Sequence, residues 1–363
     1  MNVRRPSATA SAPGLRGDSG GRAPTIRDVA RAAGVAVSTV SYVINETGQV
    51  SAETRLKVKE AIRALRYEPN LMARNLKAGR SGSIGLIAPD LQNPYFASVA
   101  SGVQDIAQAN DMLVVLCATQ SAPQLEDYYS QVMRARRLDG LIFLSGSGLP
   151  TPALTELIRQ QSVVLVDERL PGLEAPTIAS KNRPGARAIA DYVLSQGHRR
   201  IGIIGGPSRL WTAGERLAGY REAIQAAGLD TDALPVAVGD YRQGSGFEAA
   251  RHLLARAPRE RPTALICAND LMAMGAMLYC REAGLDVPRD VSICGFDDII
   301  PAAFTHPGLT SVDQRAEELG RSACRLLLSL VAPSLVAGQE PIETEPDVRL
   351  VIRGSVVGPA GEI

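Results

Sequence analysis

The side chains best suited to covalent or metal chemistry are scattered along this chain of 363 residues. Its five cysteines include no CxxC pair, and its three histidines, His198, His252 and His306, lie far apart in the sequence. Zinc sites and activated nucleophiles need such groups at set spacings or beside a base. The run 145–148, Ser-Gly-Ser-Gly, lacks the first glycine of a G-x-S-x-G elbow, and no P-loop occurs. The sequence therefore predicts no metal site, no cofactor and no enzyme, with the cysteines as buried free thiols.

Charge is distributed unevenly along the chain. Residues 1–80 hold 14 Lys and Arg against 6 Asp and Glu, whereas the remainder is acidic, so that the formal net charge is only +1. A basic first segment favours a polyanion, DNA above all, as its partner. A solvated basic tail is the alternative.

The first 24 residues are rich in Ala, Gly, Ser and Pro and carry several arginines. They contain no apolar stretch of the kind found in secretory signal peptides, which predicts a disordered arm over residues 1–24. No run of about 18 apolar residues occurs anywhere in the chain, so we expect a cytoplasmic protein without a membrane partner.

Three short helical patterns follow over residues 25–67. Thr25 can cap a first helix, and Ala30 and Gly34 stand four residues apart, which allows a second helix to approach and the chain to turn. The expected shared apolar contact consists of Val29, Val35, Val40 and Val43. This spacing predicts a helix-turn-helix, an all-α DNA-binding head.

The second helix of this head, from Val37 to about Asn45, is predicted to read DNA. Its early residues should face base edges, with hydroxyl groups near phosphates. We expect base contacts from Val37, Ser38 and Tyr42, and backbone contacts from Thr39, Ser41 and Asn45. The alternative for Tyr42 is a partly buried aromatic side chain.

A short helical segment after Pro69 forms a predicted hinge within residues 68–82. Asn70 can cap it, and its apolar members are Leu71, Ala73 and Leu76. So short a helix gains stability only by pairing with a copy of itself or on DNA.

Beyond residue 82 the pattern changes to alternating strands and helices. Buried parallel strands are predicted at 84–88, 113–117, 140–144, 163–166, 201–204, 264–267 and 291–294. Amphipathic helices are predicted at 95–109, 124–135, 183–195, 215–227, 244–255, 271–283 and 312–330. So long a stretch indicates an α/β core of two similar lobes with parallel sheets, which bind ligands beyond the carboxyl ends of their strands.

Taken together, these blocks resemble the LacI/GalR family of bacterial transcriptional regulators. The resemblance covers about residues 25–358. The head contributes TIRDVA (25–30), GV (34–35), TVS (39–41), VIN (43–45) and PN (69–70). The core contributes PDLQNPYF (89–96), VDER (166–169), GHRRIG (197–202), RLAGY (216–220), ANDLMAMGA (268–276) and GFDD (295–298).

The resemblance implies a homodimer that places two heads on a near-palindromic double-stranded DNA operator. Paired hinge helices would enter the minor groove, with Leu76 as a wedge that kinks the duplex. The expected DNA-binding residues are Thr25, Val37, Ser38, Thr39, Ser41, Tyr42, Asn45, Asn70, Ala73 and Leu76. The core, residues 83–358, is expected to be periplasmic-binding-protein-like, with a first lobe at about 83–180 and 309–335 and a second at about 181–308 and 336–358.

The resemblance also implies an effector site between the lobes. Its expected residues are Asn93, Tyr95, Phe96, Trp211, Thr212, Arg216, Tyr241, Asn269 and Asp297. A carbohydrate fits these planar hydrogen-bonding groups and aromatic faces, although Phe96 and Tyr241 could equally sandwich a purine. A structural Arg216–Asp297 ion pair, and core positions for Phe96 and Trp211, are the alternatives.

The predicted function is sequence-specific DNA binding by a repressor whose operator affinity is switched by a small effector. Such an effector acts only through different affinities for two lobe orientations. A transport sugar-binding protein and an α/β enzyme are the competing interpretations. A transport protein would have no use for the basic head, and an enzyme would need catalytic residues that the sequence does not provide.

Overall fold

The computed structural model describes residues 24–44, 47–67, 80–257, 259–336 and 341–359. By its internal contacts the chain divides into two compact units, Met1–Arg74 and Asn75–Ile363. No helix in these described ranges is long and apolar enough to cross a membrane.

The first unit is a small helical bundle. Its helices are α1 (Ile26–Ala33), α2 (Val37–Ile44) and α3 (Ala52–Leu65). Gly34 ends α1 with φ of 64°, a left-handed conformation that glycine adopts without strain, and the chain turns there into α2. The buried core consists of Val29, Ala30, Val40, Val43, Val58 and Ala61, with Val35 packed against it. The predicted helix-turn-helix and its apolar contact are confirmed.

The second unit begins with a lobe built on a five-stranded parallel sheet. Its elements are β1 (Ser83–Ala88), α4 (Pro94–Ala109), β2 (Leu113–Ala118), α5 (Pro123–Ala135), β3 (Gly140–Phe143), α6 (Pro152–Gln160), β4 (Val163–Val166) and β5 (Thr177–Ile178). The strand order is β2-β1-β3-β4-β5. We call this the first lobe.

The second lobe carries a four-stranded parallel sheet in the order β7-β6-β8-β9. Its elements are α7 (Asn182–Ser195), β6 (Ile201–Gly205), α8 (Trp211–Ala226), β7 (Val236–Val238), α9 (Gln243–Leu254), β8 (Ala264–Cys267), α10 (Asp270–Glu282) and β9 (Ser292–Cys294). The chain continues through a 3₁₀ turn (Ile300–Phe304), β10 (Ser311–Asp313), α11 (Ala316–Val331), a 3₁₀ turn (Pro333–Leu335) and β11 (Arg349–Val351).

Helices cover both faces of each sheet. In the first lobe, α4 and α11 bury one face, with Val99, Val103 and Leu327 among the core residues, and α5 and α6 bury the other. In the second lobe, α7 and α8 cover one face and α9 and α10 the other. The strands are therefore almost wholly apolar, as expected for parallel sheets buried on both sides.

The chain passes between the lobes in three described segments that lie side by side. After β5 it crosses to the second lobe, and after β10 it returns to add α11 to the first. The third segment runs beside the first crossing, where Ala179 N donates to Thr344 O (3.0 Å) and Lys181 N to Pro346 O (3.3 Å). Lys181 also forms an ion pair with Asp347 (2.5 Å). These crossings position the two sheets with their carboxyl ends facing one another.

Candidate functional site

A cavity of about 890 Å³ lies between the two lobes. Its walls come from segments that directly follow β1, β2, β3 and β4 in the first lobe and β6, β7, β8 and β9 in the second. This is the position at which open parallel sheets bind ligands, because the connections there are free of the packing that fixes the strands. Both lobes must hold their present orientation for the cavity to exist.

Arg216, on α8, is the only cation among the fully buried residues of the described ranges that line this cavity. Its Nε donates to Asn182 Oδ1 (2.7 Å), and its Nη1 donates to Ala268 O (2.7 Å) and to Asp297 Oδ1 (3.3 Å). The guanidinium also stacks on the Phe296 ring, with 4.1 Å from Cζ to the centroid. Its Nη2 makes no hydrogen bond with the residues that the structure describes. One donor group of a rigidly held guanidinium thus remains for a ligand.

The guanidinium closes a hydrogen-bonded ring that includes the crossing segments. The ring runs from Arg216 to Asn182, then to Ser180, Gln314 and Asp297, and back to Arg216. Asn182 Nδ2 donates to Ser180 O (3.0 Å), Ser180 Oγ donates to Gln314 Oε1, and Gln314 Nε2 donates to Asp297 Oδ1 (2.7 Å). Because Ser180 and Gln314 lie on two different crossings, the ring couples the floor of the cavity to the junction of the lobes.

Five residues other than glycine that line the cavity have a left-handed backbone: Gln120, Ser121, Asp167, Tyr241 and Asp297. Asp167, Tyr241 and Asp297 have φ of 71°, 70° and 108°. Such conformations are costly for residues other than glycine and persist where surrounding contacts impose them. For Asp167 and Asp297 those contacts are visible, since their N–H groups donate to Ile178 O (2.8 Å) and Val312 O (2.9 Å).

Three buried polar atoms at the cavity make no hydrogen bond of good geometry with the described residues, although the Tyr95 hydroxyl lies near the Asp167 carboxylate and the Tyr241 hydroxyl lies near Thr212. They are the hydroxyl groups of Tyr95 and Tyr241 and Oδ1 of Asp167. A buried polar group without a partner costs about 1–3 kcal/mol, so natural proteins rarely leave several together. Their convergence on one cavity is the arrangement expected of a site completed by a polar ligand.

Burial raises the pKa of three carboxyl groups that line the cavity, those of Asp167, Glu168 and Asp297. The pKa of Asp297 rises to about 7 because burial outweighs the stabilising charge of Arg216. The pKa of Glu168 also rises to about 7, through burial and the adjacent Asp167 carboxylate. Burial raises the pKa of Asp167 in the same way. The site is therefore able to present both ionised and protonated carboxyl groups near neutral pH.

Eight of the nine predicted effector-site residues line the cavity: Asn93, Tyr95, Phe96, Thr212, Arg216, Tyr241, Asn269 and Asp297. Trp211 is not among the lining residues, and its ring lies 4.8 Å from Cζ of Arg169 instead. The role of Trp211 in binding an effector stays a prediction without a contact that supports it.

Two of the predicted residues cap helices as well as lining the cavity. Asn93 Oδ1 accepts from Tyr95 N (3.0 Å) at the start of α4, and Asn269 Oδ1 accepts from Met272 N (2.9 Å) at the start of α10. The Asn269 amide also donates to Tyr241 O (3.0 Å). Asp270, the residue after Asn269, accepts from Ser311 Oγ (2.6 Å) and Ile299 N (2.9 Å) outside the cavity lining.

Sequence reasoning missed Asp167 and Glu168 in the cavity lining and Ser180, Asn182 and Gln314 in the hydrogen-bonded ring. A signal existed for Asp167 and Glu168, because they directly follow the buried strand β4. Asn182 and Gln314 lie on the crossing segments, and only the packing of the two lobes brings them to Arg216.

In the helical unit, α2 presents a polar exposed surface. Val37, Ser38 and Tyr42 are exposed, Thr39 and Ser41 are half-buried, and Val40 and Val43 face the core. Thr25 begins α1, where its N–H and hydroxyl donate to Asp28 Oδ2 (2.9 and 2.6 Å). The predicted DNA contacts Asn45, Asn70, Ala73 and Leu76 lie outside the described residues.

A helix-turn-helix unit, followed by two α/β lobes around a polar cavity, defines a ligand-responsive DNA-binding regulator. The chain belongs to the LacI family. Residues 25–70 match the family model described as bacterial regulatory proteins, lacI family, and residues 190–356 match the periplasmic binding protein-like domain.

Two curated relatives span nearly the whole chain. The HTH-type transcriptional repressor PurR of Proteus mirabilis (strain HI4320) is 37% identical over 335 residues, 92% of this chain and 96% of that protein. The HTH-type transcriptional repressor CytR of Escherichia coli (strain K12) is 36% identical over 336 residues, again 92% of this chain and 96% of the relative. The relatives are repressors and not enzymes.

Solved structures share the fold. A complex of the transcriptional regulator CelR with cellobiose has a TM-score of 0.67 at 32% identity and covers 92% of this chain and 99% of its own. The Lac repressor dimer bound to operator and the anti-inducer ONPF has a TM-score of 0.78 at 28% identity. The match covers 93% of this chain and 100% of the Lac repressor chain. The predicted fold class and function are confirmed: this is a DNA-binding transcriptional repressor with an effector-binding core.

Proposed function

We propose that the cavity between the lobes binds a carbohydrate effector and that its occupancy changes the affinity of the protein for operator DNA. In this proposal residues 25–67 read DNA, residues 68–82 form the hinge, and residues 83–358 form the effector-binding and dimerisation core. The predicted effector set without Trp211, together with Asp167, forms the site.

The observation that carries the proposal is the group of unsatisfied polar atoms around Arg216. The two tyrosine hydroxyls and Asp167 Oδ1 are buried without a hydrogen bond of good geometry, and Arg216 Nη2 makes no hydrogen bond with the described residues. A sugar hydroxyl donates one hydrogen bond and accepts others, so neighbouring hydroxyls can satisfy a guanidinium and a carboxylate together. The half-buried Phe96 adds an apolar face of the kind on which a sugar ring packs.

Two similar structures were solved with carbohydrates. One is the CelR–cellobiose complex, and another is a LacI family regulator from Enterococcus faecium with bound ribose, with a TM-score of 0.68 at 25% identity, covering 76% of this chain and 99% of its own. These ligands support the same class here.

A purine is the second candidate, because the aromatic side chains of Phe96 and Tyr241 both line the cavity. Tyr241 also contacts Arg216, with its ring centroid 5.9 Å from Cζ. A planar base would stack on such faces and use Arg216 and Asp297 at its edge.

We further infer a cytoplasmic homodimer without enzymatic activity, acting on a near-palindromic operator. A two-fold symmetric dimer matches an operator with two related half-sites. On each copy, base contacts are assigned to Val37, Ser38 and Tyr42, and backbone contacts to Thr25, Thr39, Ser41 and Asn45. The hinge contacts are assigned to Asn70, Ala73 and Leu76.

Isothermal titration calorimetry of the full-length protein tests the effector class. The panel contains neutral mono- and disaccharides, their phosphate esters, purine bases and nucleosides. Saturable binding of one neutral sugar, lost in Arg216→Met, supports the proposal. Binding of a purine alone would contradict the carbohydrate assignment while leaving the site in place. A ligand whose affinity is the same in Arg216→Met would place the effector elsewhere.

A further inference from the structure

Two consecutive residues of the first lobe contact two consecutive residues of the second. Glu168 and Arg169 lie two and three residues after the end of β4, and Trp211 and Thr212 begin α8. Glu168 contacts Thr212, and Arg169 contacts Trp211. We call these four residues the clasp.

The Glu168–Thr212 half of the clasp is buried. Thr212 N donates to Glu168 Oε2 (3.3 Å), and Thr212 Oγ1 donates to Glu168 Oε1. Glu168 is only 4% exposed and Thr212 only 2%. Two hydrogen bonds to one buried carboxylate are stronger than bonds between neutral groups, because the acceptor is charged and shielded from water.

The start of α8 explains why this carboxylate is needed. The residue that precedes the helix is Leu210, whose side chain makes no capping hydrogen bond. The first N–H groups of a helix have no partner within it, and the helix dipole favours a negative charge there. Glu168 supplies the acceptor from the other lobe, and its ionised form also supplies the charge.

The Arg169–Trp211 half of the clasp lies at the protein surface. The Arg169 guanidinium lies over the Trp211 ring at 4.8 Å and forms an ion pair with Glu345 (2.6 Å), next to the third crossing segment. A cation over an indole ring is attracted to its face. This contact accounts for the position of Trp211 outside the cavity lining.

We propose that the clasp holds the lobes in the closed orientation and so sets how much of the protein is ready to bind its effector. Separation of the lobes would break both halves together, because each half has one residue on either side. For an effector that binds the closed orientation, the apparent affinity is proportional to the fraction of the protein that is closed before the effector binds. The consequence for operator binding rests on the proposed function, but the closure itself does not.

The chain carries its own reporter for this contact, because Trp211 is its single tryptophan. Acrylamide quenching of Trp211 fluorescence in the effector-free, full-length protein measures how far the indole is covered. The test compares the wild type with Glu168→Gln and Thr212→Val, neither of which alters the indole or its arginine. Glu174→Gln is the matched control, since Glu174 is an exposed carboxylate in the same loop.

If the clasp holds the lobes closed, acrylamide should quench Trp211 more strongly in Glu168→Gln and Thr212→Val than in the wild type. Quenching in Glu174→Gln should equal that in the wild type. Loss of hydrogen bonds to a charged group should lower the ratio of closed to open protein by about tenfold. Arg169→Gln, which does not alter the cavity lining, should also raise quenching and should weaken binding of any effector found by calorimetry. Circular dichroism spectra like that of the wild type establish that each variant is folded.

Quenching equal to the wild type in both folded variants would overturn the proposal, whatever the effector proves to be. Stronger quenching in the variants, together with no ligand found by calorimetry, would support the clasp and count against the proposed effector class. The two failures are therefore distinguishable.

Discussion

Arg216 and Asp297 face one another at the floor of the cavity, with Nη1 3.3 Å from Oδ1 and both side chains almost completely buried. The pair is part of a ring of hydrogen bonds, so its geometry is fixed by Asn182 on one side and Gln314 on the other. A buried ion pair is weak evidence for stability, because desolvation of the charges offsets their attraction. Its position beside unsatisfied polar atoms instead indicates a binding role.

The first prediction concerns Asp297. Asp297→Ala should abolish the effector response of operator binding, whereas effector-free binding to the operator should persist because the helical unit is a separate compact unit. Loss of the charged acceptor should lower the affinity for the effector, measured by calorimetry, by about 10- to 100-fold. The exposed Asp232→Ala serves as the control for a lost carboxylate. An unchanged response in Asp297→Ala would place the effector site elsewhere.

The second prediction concerns pH. Burial raises the pKa of Glu168 and of Asp297 to about 7, and in the unfolded chain both groups titrate near pH 4. Between these values the folded protein binds more protons than the unfolded one. The stability that these protons contribute is present at low pH and is lost as the pH rises through about 7, by at most about 1.4 kcal/mol per pH unit for each group.

His198 acts in the opposite direction. Burial lowers its pKa, so its contribution is present above pH 6.5 and is lost as the pH falls below that value. His198 is the same in the wild type and in the carboxyl variants, so the difference between their slopes in urea unfolding from about pH 6.5 to 7.5 isolates the carboxyl groups. We expect the free energy of unfolding to fall across this interval, and to fall less in Glu168→Gln and Asp297→Asn. Equal slopes in all three proteins would show that neither carboxyl group retains its proton near neutral pH.

The third prediction concerns Tyr42 on α2, which is 49% exposed and whose ring packs against the Gly48 backbone. Tyr42→Ala should weaken operator binding by about 1–3 kcal/mol, because it removes a base contact, and should affect random DNA much less. Fluorescence anisotropy on both duplexes at one salt concentration measures the difference. Tyr128 lies in the effector-binding core, outside the helical unit, and is similarly exposed, so Tyr128→Ala is the matched control. Equal losses on operator and random DNA would refute base recognition by Tyr42.

The fourth prediction concerns Leu76, assigned as the minor-groove wedge through the family resemblance. Leu76→Ala should lose affinity for the operator more than for random DNA, since a wedge contributes only where the duplex is kinked. Gel-based bending assays should also show a smaller bend. A bend and a specificity ratio equal to those of the wild type would rule out the wedge.

Long apolar runs made most of the fold predictable from the sequence. All seven predicted strands are present, because a strand buried on both faces has few polar residues. The short strands β5, β7 and β11 were missed, since two or three residues carry no periodic signal. The last amphipathic segment was expected to start at residue 312, but 311–313 form β10 and α11 starts at Ala316.

The site was predictable where the family resemblance assigns a residue to it and was not predictable where distant segments meet. Arg216, Asn269 and Asp297 were found through the resemblance, whereas Gln314 reaches Asp297 only because the chain crosses back between the lobes. No contact supports the assignment of Trp211 to the cavity, and here too distant segments meet. Its neighbour Arg169 belongs to the other lobe, and the sequence contains no sign of that pairing.

The link between the cavity and the operator is tested most directly by fluorescence anisotropy of the full-length protein on its own upstream intergenic DNA, with and without the ligand panel. The measurement is made at one salt concentration, because phosphate contacts make affinity strongly salt-dependent. We expect nanomolar, sequence-selective binding whose affinity changes with one neutral sugar in the wild type and does not change with that sugar in Asp297→Ala. Sequence-selective binding that no compound alters, in a protein that binds one of them by calorimetry, would contradict the switch that links the cavity to the operator.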